Sequence, residues 1–154
     1  MKIASRLLPV AVMALVAVGC SSKAGDTAKA APPTLPGTTW QLVSLQSMDD
    51  AQGTTPVADP TKFTVQFDAN GTDAFFQLDC NRGKSTYKLE PSGDGSEGKL
   101  EFGPIASTMM MCPQPSLDGQ VGKALSNVRT FLIKDGQLHL SQEADSGVLT
   151  WKRG

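Results

Sequence analysis

Three cysteines, at positions 20, 80 and 112, carry the most reactive side chains of the sequence. Cys20 follows the small residues Ala17-Val18-Gly19, which end an apolar stretch over residues 7–18 behind a basic start. This order is typical of a bacterial export signal, and a cysteine directly after small residues is typical of a lipobox. The sequence therefore predicts a signal peptide over residues 1–19 and a membrane anchor made of lipid on Cys20.

Two alternatives remain for this stretch, a membrane-spanning helix and an ordinary secretion signal. A span needs about 20 apolar residues, whereas this stretch contains Pro9 and ends at Ser21 and Ser22. An ordinary signal stays open because Ala17 stands where a lipobox most commonly has leucine. Serine after the lipidated cysteine resembles the outer-membrane sorting pattern, so the predicted location is the outer membrane, facing the periplasm.

Cys80 and Cys112 are the two cysteines that remain, and an even pair in an exported domain predicts a disulfide. A loop of this length, 32 positions, stabilises the fold by about 3 to 4 kcal/mol in the chain-entropy model. A reactive thiolate beside Arg82 and a metal site are the alternatives. A metal would need further ligands at close spacing, and the only histidine, His139, alternates with leucines and is expected to face solvent.

Catalytic motifs are hard to find in this sequence. A serine or thiol enzyme needs a base, and His139 is the sole candidate. Neither a phosphate-binding glycine motif nor a dinucleotide fingerprint occurs. The carboxylates at Asp49-Asp50 and at Asp94 and Glu97 fall in polar, turn-like stretches, where solvated charge is the expected state. We expect a protein without enzymatic activity, cofactor or metal.

Charge argues against nucleic acid as a partner. Removal of residues 1–19 takes Lys2 and Arg6 from the 14 basic side chains and none of the 15 acidic ones, so the mature chain carries a net charge of about −3. Binding to nucleic acid needs a basic face that displaces phosphate counterions. Residues 20–36 are rich in proline and small residues, which predicts a flexible, lipidated tether. Residues 37–154 then have the size of one domain.

The domain sequence alternates apolar and polar residues with a period of two, which is typical of half-buried β-strands. Asp68-Ala69-Asn70-Gly71 and Asp135-Gly136 predict tight turns, and residues 91–98 predict an exposed loop. Trp40 and Trp151 are expected to anchor the core near the two ends. The predicted strands are residues 40–44, 63–67, 74–79, 85–89, 99–102, 131–134, 137–141 and 147–152.

One segment has helical rather than strand periodicity. Ser116 is the predicted cap, and apolar residues recur on one helical face at Leu117, Val121, Leu125 and Val128. This face must pack on the sheet, since the internal glycines each cost the helix about 1 kcal/mol relative to alanine. The predicted fold class is β-rich α+β, a curled antiparallel sheet or partly open barrel of seven or eight strands with one main helix.

Several segments together resemble the META domain, also called HslJ-like. They are residues 37–42, the strand that ends at Phe67, Asp79-Cys80-Asn81-Arg82-Gly83, the stretch from Phe102 to Thr108-Met109-Met110-Met111-Cys112, and residues 135–140. The family usually has Gly-Cys-Asn at the first cysteine, and here Asp79 replaces the glycine. The resemblance implies an envelope or secreted protein linked to heat shock, antibiotic tolerance or virulence, with no agreed catalytic residues.

Two functions follow as hypotheses. The first is a non-catalytic envelope lipoprotein that binds an envelope protein and helps cells tolerate envelope stress. The second is a pocket for a small apolar ligand inside the curled sheet, which would need a cavity of about 300 Å³ or more. Met109, Met110 and Met111 favour the pocket, because thioethers suit adaptable surfaces. As a strand they would alternate, with at least one in the core.

Overall fold

The computed structural model describes residues 34–48 and 53–154. The predicted signal peptide, Cys20, most of the predicted tether and the Asp49-Asp50 pair lie outside these residues. Within the described part, no helix is both long and apolar enough to cross a membrane.

The described chain folds into ten strands and one α-helix, with two short 3-10 turns at Pro60–Lys62 and Glu143–Asp145. The elements in chain order are β1 (Thr39–Ser47), β2 (Thr54–Pro56), β3 (Phe63–Phe67), β4 (Asp73–Leu78), β5 (Asn81–Ser92), β6 (Glu97–Phe102), β7 (Ala106–Ser107), α1 (Asp118–Ser126), β8 (Val128–Lys134), β9 (Gln137–Gln142) and β10 (Gly147–Arg153).

Eight of these strands close into an antiparallel barrel. Their order around the barrel is β1-β3-β4-β5-β6-β8-β9-β10, and β10 pairs with β1 to complete the ring. The two shortest strands lie outside the ring, β2 against β1 and β7 against β5. Closure pairs the edge strands with each other and so removes free sheet edges. The predicted fold class is confirmed, and the curled sheet is closed.

Alternation along the strands fills the barrel interior. In β3, Phe63, Val65 and Phe67 are buried while Gln66 is exposed, as the period-two pattern predicts. Trp40 and Trp151 lie on the paired strands β1 and β10, and both are fully buried. The indole N–H of Trp40 donates to Thr38 Oγ1 over 2.6 Å. The two tryptophans therefore anchor the core near the two ends of the domain, as the sequence predicts.

The stretch predicted as a loop, residues 91–98, is half strand and half turn. β5 and β6 both run into it, and only four residues remain for the turn, in which Asp94 Oδ1 accepts from the backbone N–H of Ser96 over 3.0 Å. Gly98 lies in β6 opposite Pro91 with φ +154°, and a Cβ there would overlap the Glu90 carbonyl oxygen. The glycine thus permits a close strand approach rather than a flexible loop.

The helix is shorter than its sequence period predicts. It begins at Asp118 rather than directly after Ser116, and Leu117 occupies the cap position without a side-chain cap bond. It ends at Ser126, and Val128 is the buried first residue of β8. The fourth apolar position of the predicted stripe therefore packs in the core as a strand residue, because the chain reverses at Asn127.

Candidate functional site

The two domain cysteines form a disulfide. Cys80 follows β4 and Cys112 follows β7, and their Cα atoms are 5.5 Å apart. The predicted disulfide is confirmed, and because both sulfurs are bonded to each other, neither is a free thiolate or a metal ligand. Among the described residues, no cluster of three or more histidine, cysteine, aspartate or glutamate side chains could hold a metal ion.

The side chain of Asn81 forms hydrogen bonds with residues 108–112, here called the methionine loop. This amide is 4% exposed. Its Oδ1 accepts from the backbone N–H of Met110 over 2.7 Å and from Thr108 Oγ1 over 2.9 Å. Its Nδ2 donates to the Met110 carbonyl over 3.0 Å and to Asp118 Oδ2 over 3.1 Å. Every donor and acceptor of this buried amide is therefore paired.

Two further contacts fix the loop to the barrel and to the helix. The backbone N–H of Arg82 donates to Thr108 Oγ1, and the N–H of Thr108 donates to the Arg82 carbonyl, both over 3.0 Å. At the other end, Ser116 Oγ donates to Asp118 Oδ1 over 3.0 Å. Asp118 thus receives bonds from both Asn81 and Ser116, and it joins the start of α1 to the loop.

Asp79 takes the backbone conformation that a glycine would favour. Its φ is +55°, in the left-handed region, where aspartate is among the few tolerated non-glycine residues. Its carboxylate lies 3.4 Å from Lys62 Nζ, and its backbone N–H donates to the Lys62 carbonyl over 2.8 Å. The turn before Cys80 therefore has a left-handed residue, Asp79, at the position where the resemblance places a glycine.

The three consecutive methionines all face solvent, so the prediction that at least one packs in the core is wrong. Met109 and Met111 are each 95% exposed and Met110 is 58% exposed. The prediction assumed a strand, but β7 ends at Ser107, and the backbone N–H and carbonyl of Met110 bond to the side chain of Asn81. The methionine loop is thus fixed through Thr108, the backbone of Met110 and Cys112, while its three methionine side chains face solvent.

A groove of about 400 Å³ runs between the methionine loop and α1; we call it the loop–helix groove. Its floor includes Leu78 and Ile105, and its rim includes Met109 and Met110. Gly119 and Gly122 form part of the helix wall, and a Cβ at Gly119 would meet open space. The groove is open to solvent and lies outside the barrel.

Positive charge borders the groove. Lys123 lines it, and Arg82 lines a neighbouring depression that shares Ser107 and Thr108 with the groove. Both cations are exposed, and neither forms a salt bridge with another described residue. The carboxylate of Asp118 is engaged by Asn81 and Ser116. The net character of this surface is apolar with unpaired cations beside it.

His139 does not line the loop–helix groove. It is half-buried on β9, and its Nδ1 is 3.3 Å from Thr150 Oγ1 on the neighbouring β10. Nucleophilic catalysis also needs a group that orients the histidine and hydrogen-bond donors that stabilise an oxyanion. A contact between histidine and threonine supplies neither. It therefore supports no catalytic assignment.

Sequence reasoning identified the cysteines but missed the role of Asn81. In the sequence, Asn81 stands out only through its place in the resemblance, beside Cys80. Its partners Thr108 and Asp118 lie 27 and 37 positions away, so no local pattern reveals the contact. The available signal was a polar amide directly after a cysteine at the start of an otherwise regular strand.

Comparison with known proteins agrees with this architecture. A search of the curated proteins finds no match. A protein from Burkholderia xenovorans, solved by NMR, is similar at 25% identity and a TM-score of 0.61, over 78% of this chain and 83% of the other. The crystal structure of a DUF4847 family protein from Bacteroides vulgatus is similar in fold, at 14% identity and a TM-score of 0.52, over 77% of this chain and 93% of the other.

A family model settles the relationship that these similarities suggest. The model of the META domain matches residues 33–154, which include the whole barrel, the disulfide and the methionine loop. The chain belongs to the META domain family.

Proposed function

We propose that this protein is a lipoprotein of the cell envelope, held on the outer membrane by lipid on Cys20 and facing the periplasm. Its META domain is a non-catalytic interaction module that binds an envelope protein and contributes to tolerance of envelope stress or antibiotics. The observation that carries the proposal is the methionine loop, which presents large apolar side chains to solvent from a fixed backbone.

Fixation of the loop is what distinguishes it from an ordinary exposed turn. Exposed apolar side chains contribute nothing to the hydrophobic stability of the domain. Here the backbone beneath them is ordered by a buried amide and a disulfide. A surface that is already ordered loses less conformational entropy when a partner binds. Methionine side chains also adapt to different partner shapes.

The helix glycines support the same interpretation. Glycine costs a helix about 1 kcal/mol relative to alanine, yet Gly119 has open space where a side chain would fit. The absence of side chains there keeps the loop–helix groove open. Lys123 and Arg82 add positive charge beside it. The partner is therefore expected to present an apolar side chain and a carboxylate.

The alternative function, an apolar ligand inside the barrel, has less support. Large side chains fill the barrel interior, including Trp40, Trp151, Phe67, Leu138 and Leu149. The loop–helix groove exceeds 300 Å³ but is an open surface feature. We therefore place the contact surface outside the barrel.

Site-specific photo-crosslinking in living cells tests the proposal. A photoreactive residue at Ser107, which is exposed and lines the groove, is compared with one at Lys152 on β10, on the opposite side of the barrel. We expect one reproducible protein adduct from position 107 and none from position 152. The same adduct from both positions, or none from position 107, would contradict the assigned surface.

Two variants separate the surface from the anchor. Gly119→Leu fills the groove with a better helix former, so it should abolish the adduct without lowering the melting temperature. Cys20→Ser removes the lipid acceptor and should move the protein from the membrane fraction to the soluble fraction. Persistent membrane attachment of Cys20→Ser would show that lipid on Cys20 is not the anchor.

A further inference from the structure

We propose that Met109 and Met111 form an oxidation site, at which a peroxide or a hypohalous acid converts each thioether to a sulfoxide and thereby releases the bound partner. The release step rests on the proposed function of the methionine loop; the oxidation step does not. Together the two steps would make the docking surface sensitive to oxidants in the envelope.

Solvent exposure distinguishes Met109 and Met111 from the other described methionines. Met109 and Met111 are 95% exposed, whereas Met110 is 58% and Met48 is 50% exposed. These four are the methionines of the described part of the chain. A two-electron oxidant must reach the sulfur directly, so the oxidation rate follows exposure. We therefore expect the outer two methionines of the loop to react first.

Other easily oxidised side chains of the described domain are protected. Cys80 and Cys112 are already joined in a disulfide, so neither offers a thiolate. Trp40 and Trp151 are buried in the barrel. An oxidant that reaches this domain therefore finds the thioethers of the methionine loop accessible, whereas the cysteines and tryptophans of the described residues are protected.

Oxidation of the thioether needs only the oxidant and no cofactor. With hydrogen peroxide, a sulfur lone pair attacks one oxygen, an S–O bond forms, the O–O bond breaks and water leaves after proton transfer. With hypochlorous acid, the sulfur first takes up chlorine with release of hydroxide, and water then displaces chloride and supplies the oxygen, so that the net products are sulfoxide, chloride and a proton. In both cases the sulfur loses two electrons and the oxidant gains them, and the product is methionine sulfoxide.

Oxidation should change the surface and spare the fold. The backbone bonds that fix the loop run through the N–H and carbonyl of Met110 to Asn81, and none uses a thioether sulfur. A sulfoxide is polar and loses its hydration when an apolar partner covers it. Two sulfoxides should reduce the yield of the position-107 adduct about tenfold or more.

Peptide mapping of the purified full-length lipoprotein tests the oxidation step. The protein is treated with limiting hydrogen peroxide, and sulfoxide is quantified at each methionine by mass spectrometry. We expect Met109 and Met111 to be oxidised before Met110 and Met48, and all four to react alike in denaturant. If Met48 or Met110 reacts first in the folded protein, the proposed site is wrong.

Crosslinking from position 107 tests the release step. Oxidation of the wild type should remove the adduct, and methionine sulfoxide reductase should restore it. The variant Met48→Leu is the matched control, since it removes the exposed methionine outside the loop and should lose its adduct on oxidation as the wild type does. An adduct that persists after both sulfoxides are verified overturns the release step. Absence of an adduct before oxidation would instead contradict the docking function, and peptide mapping would still decide the oxidation site.

Discussion

The side-chain amide of Asn81 donates a hydrogen bond to the carboxylate of Asp118 over 3.1 Å, across 37 positions of sequence. The contact joins the first residue of β5 to the first residue of α1. The amide of Asn81 also accepts from the backbone N–H of Met110 and donates to the carbonyl of Met110. One buried amide therefore sets the position of the methionine loop relative to the helix, and with it the shape of the loop–helix groove.

Replacement of this amide by an isosteric acid should destabilise the domain. In Asn81→Asp, one oxygen can still accept from Met110 and Thr108, but the other replaces a donor and faces the Asp118 carboxylate. We expect the free energy of unfolding to fall by about 3 kcal/mol, since two buried bonds are lost and like charges meet. Urea unfolding at neutral pH measures the change.

Gln66→Glu is the matched control for this variant. It adds the same negative charge at an exposed position of β3, so it should change the free energy of unfolding by less than about 0.5 kcal/mol. If the two variants lose equal stability, the loss reflects net charge and not the Asn81 hydrogen bonds.

Loss of the disulfide should destabilise the domain by a similar amount. The bond closes a sequence separation of 32 residues, for which the chain-entropy model gives about 3 to 4 kcal/mol. We expect Cys112→Ser to lower the melting temperature and to leave Cys80 open to alkylation. Reduction of the wild type with dithiothreitol should cause the same decrease. Alkylation of Cys80 in the oxidised wild type, without reductant, would contradict the bond.

Asp79 offers a test of backbone conformation alone. Asp79→Gly and Asp79→Ala both remove the ion pair with Lys62, but only alanine must hold a φ of +55° against its Cβ. We expect the glycine variant to be more stable than the alanine variant by about 1 kcal/mol. Chemical denaturation of the two variants side by side measures the difference. Equal stability would show that residue 79 does not keep its positive φ in solution.

Local sequence patterns were sufficient for the eight main strands but not for the closure of the barrel, which depends on the distant pairing of β1 with β10. The alternation through Phe63, Val65 and Phe67 depends on which face of one strand is buried, and that information lies within a few residues. The helix period was also recognisable, although Val128 follows the same spacing from within a strand. Spacing alone cannot separate a helix face from the first inward residue of the next strand.

The candidate site was less predictable because its contacts are distant in sequence. Nothing near Asn81 indicates that Met110 and Asp118 will complete its hydrogen bonds. Nor does the methionine triplet itself show that its backbone leaves the sheet after Ser107. Gly98 is a similar case, since composition indicates a loop and only the approach of Glu90 explains the glycine.

Tyr87 should make the stability of the domain decrease in alkali. Burial raises the pKa of its phenol from 10.0 to about 12, and the negative charge of Asp68 acts in the same direction. Its hydroxyl has no hydrogen-bond partner among the described residues. Above pH 10.0 the unfolded chain releases this proton more readily than the folded one, so stability that is complete below that pH is lost as the pH rises through about 12.

The sole tyrosine of the chain makes this effect measurable. Tyrosinate absorbance should show a midpoint near pH 12 in the folded protein and near 10.0 in denaturant. Tyr87→Phe removes the ionisable group and an unpaired buried hydroxyl, so it should be as stable as the wild type at neutral pH or more stable by up to about 1 kcal/mol. The wild type should lose about 2 kcal/mol more than Tyr87→Phe between pH 10.0 and 12, because each unit of pKa difference corresponds to about 1.4 kcal/mol and part of the loss falls below and above this range. The two proteins differ in no other ionisable group, so parallel alkaline unfolding curves would rule out a raised pKa at Tyr87.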